Sequence, residues 1–257
     1  MKKRYIVILI MIVVYFLVFF FLYGRDNLKQ SKLKTTIIVG DSSVWQLEEN
    51  RWHNLSSTSS RQDLNWEKFN IIIDDKAIGK YSVVYDEKWY LFDENRSPYN
   101  YSGNLIAYQA NYKMKLKSFT TNEITNFTTV NKVLTENNLN TTQEFTLSNY
   151  IDIDYDGDGS NEKFYFISNV FPIETNPDYI FSIVFMEKNG TIYPIYKSIE
   201  KNQSFNGCKP YISAIIDVND DDKYEFVLSC SKYSVETPID MLYKFTNNEF
   251  KVIVSNQ

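Results

Sequence analysis

Asp152-Ile153-Asp154-Tyr155-Asp156-Gly157-Asp158-Gly159-Ser160-Asn161-Glu162 sets carboxylates at alternate positions around a glycine turn, which gathers hard oxygen atoms about one point. With Asp154 as place one, Asp156 and Asp158 fall at places three and five and Glu162 at place nine. Gly159 at place six permits the sharp bend, and the Ser160 carbonyl at place seven adds an oxygen. Calcium takes about six to eight oxygens at roughly 2.3–2.6 Å, and a loop of this kind delivers most of them. Without a cation, carboxylates this close repel one another; a bound ion turns that cost into stabilisation. A helical EF-hand needs a bidentate Glu at place twelve. Here that place is Tyr165, or Lys163 if counting starts at Asp152, so neither register fits.

The stretches on either side are runs of β-branched and aromatic residues and read as strands. A second acidic loop begins 63 residues later, with Asp217, Asn219, Asp221 and Glu225 at the same ligand places and the Lys223 carbonyl at place seven. Its sixth place is Asp222 rather than glycine, and Asp tolerates a left-handed backbone better than most residues. The order around both loops is the same: strand, acidic loop, strand, strand, tight turn, strand. The tight turns are Asn189-Gly190 and Asn247-Asn248. Asn-Gly between apolar runs is a strong hairpin signal. Repeats of this length suggest propeller blades or stacked β units that bury one another's faces.

Over about residues 145–257 the loops and their flanking strands resemble the FG-GAP/VCBS-type calcium-loop repeats of integrin-like β-propellers, with Glu162 where that family more often has Asp. The resemblance implies one or two structural calcium ions held between strands and a β-propeller-like arrangement. Two units are too few to close a propeller of about four or more blades. The preceding strands therefore supply further blades or form a separate β module.

Those strands are expected at Thr36–Val39, Ser43–Leu47, Arg51–Leu55, Phe69–Ile73, Tyr81–Tyr85, Trp89–Phe92, Leu105–Tyr112 and Met114–Phe119. Runs of β-branched and aromatic residues between turn residues mark them. Ile124, Phe127, Val130, Val133 and Leu134 then recur at helical spacing, which predicts a helix over 123–136 capped by Thr121 or Asn122. The expected organisation is a tail at 1–4, a transmembrane anchor at 5–23, a linker at 24–35, a β region at 36–120, a helical connector at 121–138 and two β repeats at 139–257.

The anchor rests on Tyr5–Tyr23, 19 residues without a charge, glycine or proline, preceded by Lys2, Lys3 and Arg4. At about 1.5 Å per residue this run reaches the width of a hydrocarbon core. No small-residue cleavage site follows it. Arg25, Lys29, Lys32 and Lys34 balance the charges at the other end, so flanking charge does not set the orientation. The two cysteines, Cys208 and Cys230, flank one predicted hairpin as a disulfide would in an oxidising compartment. A loop of modest calcium affinity would also stand empty in cytosol. The sequence expectation is a single-pass membrane protein with a cytoplasmic N-terminus and an extracytoplasmic C-terminal region.

The formal net charge of −5 becomes −8 once the three basic residues of the tail are set aside, which argues against nucleic acid as a partner. His53 is the sole histidine, so a zinc cluster is excluded, and a Ser-His-Asp triad would have to be built on a residue beside Trp52 in a hairpin. The chain lacks a glycine-rich phosphate loop, and nothing singles out a carboxylate pair for glycoside hydrolysis. Trp45, Trp52, Trp66 and Trp89 read mainly as core and cross-strand packing, with Trp66 the one expected to be exposed. A protein or carbohydrate partner at the surface is compatible with these aromatics. The function expected is a non-enzymatic binding or scaffold module, with an accessory subunit of a membrane complex or a polysaccharide hydrolase as alternatives.

Overall fold

The computed structural model describes residues 35–49, 51–74, 76–110, 113–142, 144–170, 179–201, 208–232 and 238–256. Within them the chain is mainly antiparallel β. The first eight strands are β1 (Thr35–Val39), β2 (Ser43–Glu48), β3 (Arg51–Asn54), β4 (Lys68–Ile73), β5 (Lys76–Asp86), β6 (Lys88–Phe92), β7 (Pro98–Tyr99) and β8 (Leu105–Gln109). They form one sheet in the order β3-β2-β1-β8-β4-β5-β6-β7. A short helix, α1 (Thr58–Gln62), joins β3 to β4. β8 returns to pair with both β1 and β4, which closes this N-terminal sheet into one piece.

Two five-stranded sheets follow. The first unit contains β11 (Leu147–Ile153), β12 (Glu162–Ser168), β13 (Tyr179–Lys188) and β14 (Thr191–Lys201), a meander in sequence order with β10 (Thr121–Glu123) added at the β11 edge. The second contains β15 (Cys208–Asp217), β16 (Glu225–Lys232), β17 (Ile239–Thr246) and β18 (Glu249–Ser255), with β9 (Lys115–Leu116) added at the β15 edge. The hairpin turns take the left-handed backbone their residues suit: Asn189 and Gly190 at φ 51° and 75°, Asn247 and Asn248 at 52° and 60°.

The three sheets stack face to face in a row. Ile37, Trp45 and Tyr108 of the N-terminal sheet pack on Ala214, Ile216 and Val227 of the second unit. The other face of that unit, with Ile215, Phe226 and Leu228, packs on Ile151, Phe164 and Phe166 of the first unit. Ile151, Ile153, Tyr155 and Phe164 correspond, 63 positions on, to Ala214, Ile216, Val218 and Val227. Each unit thus presents the same face to the next sheet, head to tail. Strands buried on both sides, such as β12 and β16, accordingly read as nearly continuous apolar runs.

The row stays open, and the expectation of a β-propeller-like arrangement is corrected. The remaining face of the first unit is covered by α2 (Thr128–Glu136), whose Val130, Val133 and Leu134 pack on Ile167, Phe181 and Ile183. A helix covers this face where a propeller would place another blade. α2 also begins later than predicted, because Thr121–Glu123 pairs with β11 as a strand. The side chain of Asn126, rather than Thr121 or Asn122, starts the turn by accepting from the Thr128 N–H at 3.0 Å.

The expected membrane helix over Tyr5–Tyr23 lies outside the described residues. No helix among the described residues is long and apolar enough to cross a bilayer. The longest, α2, has nine residues, about 14 Å of rise against a hydrocarbon core of roughly 30 Å. The single-pass anchor and the membrane location derived from it are therefore withdrawn.

Candidate metal centre

Both acidic loops are built the same way. The register pairs Ile153 with Glu162, so the ends of β11 and β12 bring the loop's first and last carboxylates together. Asp154 accepts hydrogen bonds from the Gly157 N–H at 2.8 Å and the Gly159 N–H at 3.3 Å. Asp158 accepts from the Ser160 N–H at 2.8 Å, and Glu162 from the Tyr155 N–H at 2.8 Å. The chain curls through Gly157 and Gly159, at φ 78° and 88°. A Cβ at either position would meet open space, so glycine is favoured there by the backbone angle and not by crowding.

In the second loop Asp217 accepts from the N–H groups of Asp221 and Asp222, at 3.2 and 3.1 Å. Asp221 accepts from the Lys223 N–H at 2.9 Å, and Glu225 from the Val218 N–H at 3.3 Å. Asp220 and Asp222 replace the two glycines and still adopt left-handed angles of 58° and 62°. Asp222 thus makes the left-handed bend expected of it at the sixth place, and Asp220 makes the other.

Asp154, Asp156 and Glu162 each offer an oxygen within 4.8 Å of the other two. An ion with ligand distances near 2.4 Å fits such a separation. Glu162 is 1 % exposed, and its Oε1 has no hydrogen-bond donor among the described residues. Asp158 stands outside this triad. In the second loop Asp217, Asp221 and Glu225 form no equivalent group, and Asn219 directs its amide N–H at Asp221, 3.1 Å away, leaving its own Oδ1 without a donor.

Each loop already faces a cation from its own chain. Lys188 Nζ contacts Asp156, reaches Asp158 at 2.7 Å and stands 3.0 Å from Glu162 Oε1, an ion contact rather than an aligned hydrogen bond. Lys244 Nζ lies 3.0 Å from Asp221 and 2.9 Å from Glu225. Glu225 pairs across the sheet with Lys244, and Lys188 follows Glu187, the cross-strand partner of Lys163, so the two lysines hold equivalent positions. Lys115 of β9 adds contacts to Asp217 and Asp220, both at 3.6 Å, and to Asp222.

The electrostatics follow from this arrangement. Burial pulls the Lys188 ammonium towards neutrality, but its contacts with the Asp156, Asp158 and Glu162 carboxylates prevail and raise its pKa. Lys188 in turn holds Asp158 below the usual carboxylate range. Burial pushes the Glu225 carboxyl up to about 7 even though Lys244 pulls it down. The two loops also touch: Tyr155, beside Asp154, inserts among Phe164, Phe226 and Phe250, and its hydroxyl donates to the Tyr224 carbonyl of the second loop.

Cys208 and Cys230 are joined across β15 and β16, with Cα atoms 5.2 Å apart. Trp45 and Trp89 are core residues, whereas Trp66 is 50 % exposed and packs against Phe92 and the Arg96 guanidinium. His53 is exposed on β3. A polar cluster without a sequence signature lies between the N-terminal sheet and the second unit. There Asp240, 2 % exposed, accepts from the hydroxyls of Ser42, Ser43 and Ser229. Burial raises its pKa against the pull of those hydroxyls.

No family model matches the chain, and no characterised protein or solved structure was found to match it either.

Proposed function

We propose that this protein is a non-enzymatic binding or scaffold module whose repeated β units are stapled by acidic loops, the first of which takes a structural calcium ion. The observation that carries this reading is the convergence of Asp154, Asp156 and Glu162 within 4.8 Å, with the buried Glu162 Oε1 met by the Lys188 ammonium at 3.0 Å and by no aligned hydrogen-bond donor. The donor set is all oxygen, which suits a hard cation rather than zinc or copper. A catalytic reading finds less support. The cavity beside Asp240 is lined by Gly40, Asn104, Tyr211 and serines, with Asp240 as its one carboxylate, whereas glycoside hydrolysis commonly uses two. The half-exposed Trp66, flanked by Phe92 and Arg96, offers a surface for a protein or carbohydrate partner.

The test is thermal unfolding of the chain with EDTA and then with calcium. Calcium should raise the melting temperature, and Asp154→Asn with Asp156→Asn should abolish the response. A response that survives both substitutions would place the ion elsewhere.

A further inference from the structure

We infer that the two loops have diverged into an exchangeable and a locked form. Lys188 is a tethered cation that closes the first loop until a divalent ion displaces it, whereas Lys244 and Lys115 close the second loop for good, so the protein takes one divalent ion and not two. This rests on the calcium reading of the first loop.

The geometry makes lysine and metal alternatives. Lys188 Nζ contacts Asp156 and Glu162, two of the three carboxylates that would ligate the ion. A divalent ion bound to the same oxygens would sit within a few ångströms of the ammonium, and two positive charges that close repel strongly. Lys188 has a way out. It lies just before the Asn189-Gly190 turn, and Asp156 and Asp158, on its open side, are 36 % and 45 % exposed. A four-carbon stem at a hairpin tip swings into water without moving a strand.

The second loop differs in being held by two lysines, neither of them at a hairpin tip, although its Asp220 and Asp222 are 43 % and 84 % exposed. Lys244 is in the body of β17, paired opposite Glu225, and its partner Asp221 is 23 % exposed. Lys115 holds the other side through Asp217, Asp220 and Asp222. Two ammonium groups from two different strands would have to leave before an ion could enter. The glycines of the first loop also have no counterpart in the second, where Asp220 and Asp222 occupy the bends.

The experiment is a calorimetric titration of the metal-stripped full chain with calcium chloride, for wild type, Lys188→Gln and Lys244→Gln. Wild type should bind one equivalent. Lys188→Gln should bind one equivalent at least tenfold more tightly, because the competing charge is gone, and Lys244→Gln should leave the stoichiometry at one. Two equivalents in wild type, or equal affinity for wild type and Lys188→Gln, overturns the inference while leaving the calcium reading intact. Binding by Lys188→Gln alone also overturns the inference, because Lys188 would then lock the first loop as Lys244 and Lys115 lock the second. Absence of binding in every protein sinks both. Amine acetylation mapped by mass spectrometry gives a readout that needs no variant. Calcium should speed modification of Lys188 and leave Lys244 unchanged, and identical protection of Lys188 with and without calcium would refute the exchange.

Discussion

The two β units share a strand order, a loop geometry and a buried glutamate that caps a backbone N–H, yet they differ in what surrounds that framework. The second unit is covered on both faces by sheets, carries the Cys208–Cys230 bridge and receives lysines from β9 and β17. The first is covered by a sheet on one face and by α2 on the other, has glycines at both loop bends and depends on one lysine at a hairpin tip. A duplicated acidic loop therefore need not be a duplicated metal site. What both loops retain is the glutamate at the start of a strand, Glu162 or Glu225, held by the N–H of Tyr155 or Val218. What varies is the source of the positive charge.

The largest effect is expected where the units meet. Phe226 is fully buried between them and touches Tyr155, Phe164, Tyr243 and Phe250. Phe226→Ala should cost about 3–5 kcal/mol through lost burial and the cavity left behind, a fall in melting temperature on the order of 10 °C. Urea unfolding followed by both fluorescence and circular dichroism checks it. Two separated transitions in the wild type would mean that the units are independent rather than a cooperative row.

Next is the bridge, which only the second unit has. It closes a loop with a sequence separation of 22 residues, and Cys208→Ser with Cys230→Ser should cost about 3 kcal/mol. Hydrogen exchange should then accelerate in β15 and β16 while β11 and β12 keep their protection. Equal acceleration in both units would show that the bridge stabilises the whole row and does not distinguish its parts.

The lysines give a smaller and asymmetric pair of effects without metal. Lys244→Gln leaves Glu225, fully buried, with a neutral partner and should cost about 2–3 kcal/mol. Lys188→Gln also leaves a buried glutamate, Glu162, with a neutral partner, but Asp156 and Asp158 can turn to water, so it should cost somewhat less, about 1–2 kcal/mol. Denaturant titration in EDTA measures both. A larger loss for Lys188→Gln would reverse the ranking of locked and exchangeable loops.

These lysines also mark the limit of what is legible from residues alone. Strand positions follow from apolar runs and from the turn residues between them, such as Asn189-Gly190, and the strand order expected around each acidic loop is the order found. Lys188 and Lys244 lie 26 and 19 residues after their glutamates, an unequal spacing because the connections between the second and third strands differ in length. Only cross-strand register reveals that they are equivalent. The same holds for β8, whose insertion between β1 and β4 is a long-range pairing that no local pattern encodes. The propeller expectation erred because the repeat is real and α2, not a further sheet, covers its end. Thr121–Glu123, which looked like the approach to a helix, is drawn into a strand by the free edge of β11.

The smallest effect separates the two contacts of the row by pH. Phe166 and Val184 are cross-strand partners in the first unit and pack on the second unit. Sixty-three positions after Phe166 is Ser229, whose cross-strand partner is Asp240, and this pair turns towards the N-terminal sheet. An apolar contact at one junction is thus a buried carboxyl among hydroxyls at the other. Because burial raises the Asp240 pKa in the folded state, the folded protein holds that proton to higher pH than the unfolded chain does. The contribution of Asp240 to stability is therefore fully present below its ordinary carboxylate range and is lost as pH rises through the folded pKa. Asp240→Asn stays neutral throughout, so its stability relative to wild type should improve as the pH rises from the ordinary carboxylate range through the folded pKa of Asp240 and level off above it. Paired denaturant titrations across that range measure the difference directly. A constant offset between the two proteins would mean that the serine hydroxyls fully compensate the buried charge, and that the two junctions differ in composition but not in their response to protons.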